Sequence, residues 1–188
     1  MPYSTRFVKS IDYGPSWIVM NAVFDRFQTI PQLPGHCIPA CVEAAMKYLD
    51  PLSDVDQADL MERYEREAGD RTSISFGSIK EKVLDPIYGS RFSFDHVTDS
   101  QVGTWSGLLS IFRTNVRNAV PTIASLPTPT SGWHTNVVLG YCESNDNMNW
   151  LLASDPEELF LTRIDVNRLE EKLRRRQGRT DLLLVRRR

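Results

Sequence analysis

The sequence predicts an α+β fold in which helices come first along the chain and antiparallel strands follow. Two observations support this prediction. Apolar residues recur at helical spacing through much of residues 37–118, whereas the last third of the chain consists mainly of short apolar runs separated by polar turns. We therefore expect an N-terminal helical lobe packed against a C-terminal antiparallel sheet, with a binding cleft between them.

The helices are predicted from apolar periodicity together with start and stop signals. Pro39 suits the first turn of the first helix, where its missing N–H is harmless. Ser53 and Asp54 are cap candidates for the second helix, and the third is expected to stop before Pro86. The predicted helices cover residues 37–49, 55–68, 77–83, 106–118 and 166–174.

The strands are predicted from short runs of β-branched, aromatic and other apolar residues between turn signals. An apolar run at residues 17–24 predicts an initial strand or extended arm. The later strands are expected at residues 91–97, 120–126, 134–142, 149–153, 159–164 and 180–186.

A chain of 188 residues is long enough for one domain with its own core, and no linker or repeat divides it. We expect a single domain over residues 1–188, with an N-terminal arm (1–27), a core (28–185) and a basic tail (186–188). The segment 163–188 is strongly basic. Such a segment is usually solvated surface, and binding of an acidic partner is the alternative interpretation.

The remaining composition limits the partners and the compartment. A net charge of −2 predicts no nucleic-acid or membrane partner. Three cysteines, two of them four residues apart, and the absence of a signal peptide predict a reducing, cytoplasmic setting. Export by a route without a signal peptide stays open, as does the oligomeric state, and no cofactor is expected.

Cys37 is the candidate nucleophile. It stands at the predicted start of the first helix, where unpaired N–H groups and the helix dipole stabilise a thiolate. The alternative is a buried, inert cysteine, a role that suits Cys41 better because Cys41 lies on the apolar stripe of the same helix.

His134 is the candidate base, with Asp155 as its partner. His134 begins one apolar strand and Asp155 ends the next, and the middle of the interval between them falls in a polar cluster that must turn. An antiparallel hairpin about that point places the two residues side by side, as a catalytic triad requires. His36 and His96 are weaker candidates, because the sequence shows no comparable partner for either.

Acyl transfer also needs donors for a tetrahedral oxyanion. The backbone N–H of Cys37 is one natural donor. Either Gln28 or Gln32 offers a side-chain amide as the second donor, and the sequence leaves this choice open.

Two windows of the sequence resemble one family. Residues 32–49, with Cys37-Ile38-Pro39-Ala40-Cys41 leading an alanine-rich helix that ends at Tyr48-Leu49, are similar to the catalytic-cysteine segment of the bacteriocin-processing, double-glycine-leader peptidases. Residues 134–156 resemble the His-x-x-Val-Val-x-Gly-Tyr strand, polar turn and closing Asp-Pro of the same family. These peptidases belong to the papain-like superfamily.

The resemblance implies a papain-like cysteine protease fold and a peptide or protein substrate. By position it makes Cys37 the nucleophile, His134 the general base and acid, and Asp155 the orienting residue. His36 and Trp133, which neighbour the nucleophile and the base, are expected in the substrate cleft.

Three alternatives stay open at this point. The same triad could perform acyl transfer or amidase chemistry, since an amine as well as water can intercept an acyl-enzyme. The fold could instead be a catalytically silent binding module. A metal site made of Cys37, Cys41, Cys142 and a histidine is the third alternative.

Overall fold

The structure, a computed structural model, is organised around one antiparallel sheet. It describes residues 17–19, 27–70, 74–128, 132–144, 147–157, 161–175 and 181–188. Within these residues the sheet has seven strands: β1 (Trp17–Val19), β2 (Phe92–Thr98), β3 (Thr122–Thr128), β4 (Gly132–Ser144), β5 (Asn147–Ser154), β6 (Leu161–Asp165) and β7 (Asp181–Arg187).

Six of these strands lie side by side in the order β2-β7-β3-β4-β5-β6, and each neighbouring pair is antiparallel. β1 pairs with the later part of β4, from Gly140 to Cys142, beyond the part of β4 that pairs with β3. The expected initial strand is therefore confirmed at β1. The rest of that predicted run, residues 20–24, lies outside the described residues.

Helix α1 (Cys37–Leu49) has the bounds that the sequence predicts. It packs against β3, β4 and β7 on one side and against helix α2 (Gln57–Ala68) on the other. Nearly all of its residues are buried, as expected for a helix that is covered on two sides. A functional group at the start of α1 is therefore held by a rigid, fully packed element.

Helix α2 begins two residues later than predicted. Its N-cap is Asp56, whose side chain accepts two backbone N–H groups of the first turn, and not Ser53 or Asp54. A single carboxylate that reaches two N–H groups is the better cap, so it determines where the helix starts.

The third helical segment does not stop before Pro86, contrary to the prediction. Helix α3 (Phe76–Ile79) continues into a π-helical turn, Lys80–Leu84, and then into helix α4 (Asp85–Tyr88). Because the π turn shifts the hydrogen-bond ladder by one residue, Pro86 falls in the first turn of α4, where no N–H is needed.

The later helices agree with the sequence to within about a residue at each end. They are α6 (Trp105–Arg117) and α7 (Val166–Arg175), and a short helix, α5 (Asp99–Val102), precedes α6 without having been predicted. Among the described helices, none combines the length and the apolar character that a membrane crossing requires.

The basic C-terminal residues are part of the sheet. Strand β7 runs to Arg187, Arg186 forms an ion pair with Asp95 on the neighbouring strand β2, and Arg187 lies 3.8 Å from Asp50. The backbone of these two arginines is therefore paired with β2, while the side chains of Arg186 and Arg187 remain 39% and 59% exposed to solvent.

Candidate active site

Cys37 is the first residue of α1 and is partly buried. A tight turn delivers the chain to it: the N–H of His36 donates to the carbonyl of Leu33 at 2.9 Å, and Gly35 has a φ of +76°. Pro34 and Gly35 thus occupy the two central positions of a type II turn, the second of which favours glycine. This Pro-Gly turn sets the entry of the helix and so the position of the Cys37 sulfur.

Cys41, one turn further along α1, has a structural role. It is fully buried, and its thiol donates to the carbonyl of Thr135 at 3.3 Å. Burial raises the pKa of the Cys41 thiol well above its usual range, and the charges of Cys37 and Asp155 raise it further. The expectation that Cys41 is the inert cysteine of the pair agrees with this environment.

The contact of Cys41 with Thr135 joins the two segments that carry the family resemblance, residues 32–49 and 134–156. Thr135 is adjacent to His134 on β4, and Cys37 lies one helical turn from Cys41. The charges of Cys37 and of Asp155 both act on the same buried thiol. The start of α1 and the His134–Asp155 region therefore meet around Cys41.

His134 and Asp155 are joined by a hydrogen bond. His134 Nδ1 lies 2.9 Å from Asp155 Oδ1, and the two side chains are only 12% and 6% exposed. The same carboxylate oxygen accepts the backbone N–H of Glu157 at 2.9 Å. An ionised carboxylate can only accept, so a bond to it would use the proton on Nδ1, and the contact holds the imidazole in one orientation.

The hairpin register that brings them together differs from the predicted one. Val137 pairs with Ser154, so Asp155 lies opposite Asn136 and diagonally from His134. The predicted pairing of His134 with Asp155 was therefore wrong by two residues, because the turn is centred one residue later than the midpoint of the interval between them. A shift of two keeps both side chains on one face, and diagonal neighbours remain within reach.

The other ring nitrogen of His134 faces Gln32. His134 Nε2 lies 3.0 Å from Gln32 Oε1, and the backbone N–H of Gln32 donates to the carbonyl of Pro156 at 3.1 Å. Gln28, the other candidate amide, is exposed to solvent. Of the two glutamines, the structure brings Gln32 to the histidine.

Three acceptors surround the His134 ring. Asp155 Oδ1 is bonded to Nδ1 and Gln32 Oε1 to Nε2, and Glu157 Oε2 lies 3.7 Å from Nε2. Both ring nitrogens of His134 therefore face an oxygen atom that can accept a hydrogen bond. Sequence reasoning missed Glu157, although its position directly after the Asp-Pro turn was a usable signal.

The remaining predicted cleft residues are less informative. His36 is the N-cap of α1 and makes no side-chain capping bond. Trp133 lies in β4 beside His134, but its side chain is outside the part of the chain that the structure describes.

His96 does have a carboxylate partner, contrary to the sequence-based argument, because Asp181 of the adjacent strand β7 bonds to its Nε2. Two strands, β7 and β3, separate β2 from β4, so this second pair lies about 14 Å across the sheet from β4. It is therefore not a neighbour of the His134–Asp155 pair.

The strand geometry contradicts the metal-site alternative. Cys142 lies seven residues beyond Thr135 on β4, about 23 Å along the strand, whereas Cys41 contacts Thr135 itself. The three cysteines therefore cannot bind one ion. Among the described residues, no cluster of three or more His, Cys, Asp or Glu side chains could hold a metal ion.

Comparison with known proteins agrees with this geometry. A family model described as the Peptidase C39 like family matches residues 24–173, which include α1, β3, β4, β5 and most of α7. No curated protein matches the chain. The helical lobe with α1 packed on an antiparallel sheet is the arrangement expected of this family. The chain therefore belongs to the Peptidase C39 like family of papain-like cysteine peptidases.

Proposed function

We propose that this protein cleaves a peptide or isopeptide bond with Cys37 as nucleophile, His134 as general acid and base, and Asp155 as the orienting carboxylate. The observation that carries the proposal is the chain of contacts Asp155–His134–Gln32, which begins at a buried carboxylate. Membership of a family of cysteine peptidase-type hydrolases supports it.

The first half of the reaction forms an acyl-enzyme. The Cys37 thiolate, stabilised by the start of α1 and by the His134 imidazolium, attacks the substrate carbonyl carbon, and the carbonyl π electrons move to oxygen. His134 Nε2 gives its proton to the leaving nitrogen, the C–N bond breaks, and an amine leaves. The products of this half are a thioester on Cys37 and a neutral His134.

The second half returns the enzyme to its starting state. Water gives a proton to His134 Nε2 as its oxygen bonds to the thioester carbon. The C–S bond then breaks, which releases a carboxylic acid and restores the thiolate–imidazolium pair. Asp155 accepts the bond from Nδ1 throughout, so it stabilises the imidazolium without taking the proton.

Gln32 is the side chain we assign to the oxyanion. Its Oε1 points to His134, which leaves the NH₂ group on the other branch of the amide to donate to the oxyanion. The backbone N–H of Cys37, in the first turn of α1, is the second donor. Both donors are held by the Pro-Gly turn that joins Gln32 to Cys37.

The test is acylation by p-nitrophenyl acetate, which needs no knowledge of the natural substrate. We expect a burst of one p-nitrophenolate per chain, lost in Cys37→Ala and strongly slowed in His134→Ala. Cys142→Ala is the matched control, because Cys142 is also a partly buried thiol without a disulfide, and it should keep the full burst. A burst that survives Cys37→Ala would contradict the proposal.

Screening a fluorogenic peptide library with wild type and Cys37→Ala then identifies the bond that is cleaved. If the wild-type thiol reacts no faster with iodoacetamide than a small free thiol, Cys37 is not activated and the silent binding module becomes the better account.

One observation favours acyl transfer as the second candidate. Glu157 is well exposed, and its carboxylate lies 3.7 Å from the nitrogen of His134 that activates the acceptor. A carboxylate at this place attracts an incoming ammonium, which must lose a proton before it attacks the thioester. Formation of N-methylacetamide from the acetyl-enzyme and methylamine, reduced in Glu157→Gln, would support transfer; release by water alone would reject it.

A further inference from the structure

Gln57, at the start of α2, holds the peptide groups on both sides of Gln32. Its side-chain Nε2 donates to the carbonyl of Pro31 at 2.7 Å, and its Oε1 accepts the N–H of Leu33 at 2.8 Å. Gln57 is 6% exposed, so both bonds are shielded from water. These two bonds need one donor and one acceptor on the same side chain, which an amide provides. An ionised carboxylate only accepts, and a hydrocarbon does neither.

Gln57 is itself attached to the helix that begins at Cys37. Its backbone N–H donates to Glu43 Oε2 at 2.9 Å, and Glu43 is a buried residue of α1. Lys47, one turn further along α1, bonds to the other carboxylate oxygen of Glu43, so the buried charge is paired. The two bonds from Gln57 therefore fix the loop that contains Gln32 (residues 27–36) relative to α1 as well as to α2.

The loop that contains Gln32 also makes hydrogen bonds to residues at the end of β5. The backbone N–H of Gln32 bonds to Pro156, and the hydroxyls of Thr29 and Ser154, both buried, lie 2.7 Å apart. Gln57 thus completes a set of contacts that fixes the backbone of Gln32 relative to both Cys37 and Asp155.

We propose that Gln57 is a positioning residue that holds the Gln32 amide where the oxyanion forms, without itself touching substrate. This inference rests on the proposed function, in which Gln32 donates to the oxyanion. Donors fixed in advance stabilise a developing charge without reorganisation, so a loosened loop lowers the rate of acyl transfer. The ground-state carbonyl needs these donors less, so substrate binding should change little.

The experiment compares two reactions of the same sulfur. Acylation by p-nitrophenyl acetate passes through an oxyanion, whereas alkylation by iodoacetamide is a displacement at saturated carbon and does not. In Gln57→Leu we expect acylation to slow by roughly 10- to 100-fold, the scale of a small misplacement of a catalytic group. Alkylation should stay within about twofold of wild type. The rate constant of the burst at saturating ester should fall, with little change in the ester concentration that gives half of the maximal burst rate.

A double-mutant cycle tests whether Gln57 acts through Gln32. In the Gln32→Ala background, Gln57→Leu should slow acylation by less than about twofold, because the group it positions is already gone. An equal effect of Gln57→Leu in the two backgrounds would overturn the inference. So would a parallel loss of alkylation and acylation, which indicates general damage to the site.

A second variant covers the case in which Gln57→Leu does not fold. Gln57→Glu keeps the acceptor for Leu33 but places a carboxylate against the carbonyl of Pro31. Protonation restores a donor, so the acylation rate of this variant relative to wild type should rise as the pH falls through its titration. A flat ratio at all pH values would contradict the role assigned to Gln57.

Gln101→Leu is the matched control. The Gln101 side chain also accepts a backbone N–H, that of Thr98 at 2.9 Å, but does so in the cap of α5. It should leave acylation unchanged. The two proposals fail differently: if the wild type is inert to both reagents, the proposed function is wrong, whereas an active wild type with an equally active Gln57→Leu rejects only the positioning role.

Discussion

At the scale of single residues, the site depends on environment more than on residue type. Cys37 and Cys41 are the same side chain one turn apart on one helix. Cys41 is buried and donates its S–H to a carbonyl, so it remains a thiol, whereas Cys37 stands at the helix start with partial exposure. The sequence could separate these roles because the apolar stripe of α1 passes through Cys41 and not through Cys37.

Asp155→Asn tests the orienting carboxylate. Asparagine keeps the shape but loses the charge that stabilises the imidazolium, and a hydrogen bond to a charged group contributes about 1.5–3 kcal/mol. We expect p-nitrophenyl acetate acylation to fall by roughly 10- to 150-fold, which leaves more activity than Cys37→Ala. Asp165→Asn is the control, since Asp165, like Asp155, accepts a backbone N–H group two residues later in the sequence, here at the start of α7. Equal rates in the two variants would exclude Asp155 from the reaction.

The contacts that the sequence did not show at this scale depend on how loops fold back. Counting residues could not decide between Gln28 and Gln32, because the path of the loop from residue 27 to 36 sets which amide reaches His134. The contact of Glu157 arises from the turn at Asp155-Pro156, and that of His96 with Asp181 spans 85 positions along the chain. The contact of His96 with Asp181 therefore follows from no local pattern, whereas the Asp-Pro turn was a signal for Glu157.

At the scale of elements, the site is assembled by one helix, one hairpin and one turn. The bounds of α1 were predictable because Pro39, the apolar stripe and the following turn all agree. The hairpin register was missed by two residues because the polar cluster is longer than the turn, so it locates the turn without fixing its centre. The π turn in Lys80–Leu84 has no sequence signal that we can identify, and it carried the chain past a proline that should have ended the helix.

Gly35→Ala tests the turn before Cys37. At a φ of +76° an L side chain is strained by about 1–2 kcal/mol, although no atom lies within 4 Å of an added Cβ. Gly69→Ala is the matched control: Gly69 has a φ of +74°, equally open space and a position at the end of α2.

Both glycine variants should lose similar stability in urea unfolding. Only Gly35→Ala should also slow acylation, because only that turn joins Gln32 to Cys37. Equal acylation rates in the two variants would show that the turn does not position the nucleophile.

At the scale of the whole molecule, charged groups join the C-terminal end of α1 to the start of β2 and the end of β7. Asp50, which follows α1, accepts a bond from Arg91 at 2.8 Å and lies 3.8 Å from Arg187 on β7. Its bond to Arg91 is the main reason that the pKa of the Asp50 carboxyl lies below its ordinary value. The sequence showed these charges but not their pairing, because they come from three distant segments.

This link predicts an acid-sensitive contribution to stability. A carboxyl whose pKa is lowered by folding stabilises the native state above its unfolded pKa, and that stabilisation is lost as the pH falls through the folded pKa. Asp50→Asn should therefore lower the melting temperature at pH 7, with the difference from wild type shrinking at about pH 4 and below. Asp54→Asn is the control, because Asp54 is highly exposed and lies 3.5 Å from the same arginine. A difference that stays constant into acid would contradict the linkage.

The position of β7 inside the sheet, one strand from its edge, has a consequence for how the protein folds. Residues 32 to 155, which contain every group assigned to peptide-bond cleavage, precede β7 in the sequence and are synthesised before it. Yet β7 lies between β2 and β3 and packs against α1. The sheet that carries α1 is therefore complete only when residues 181–187 have been synthesised and have joined it, after every one of those groups.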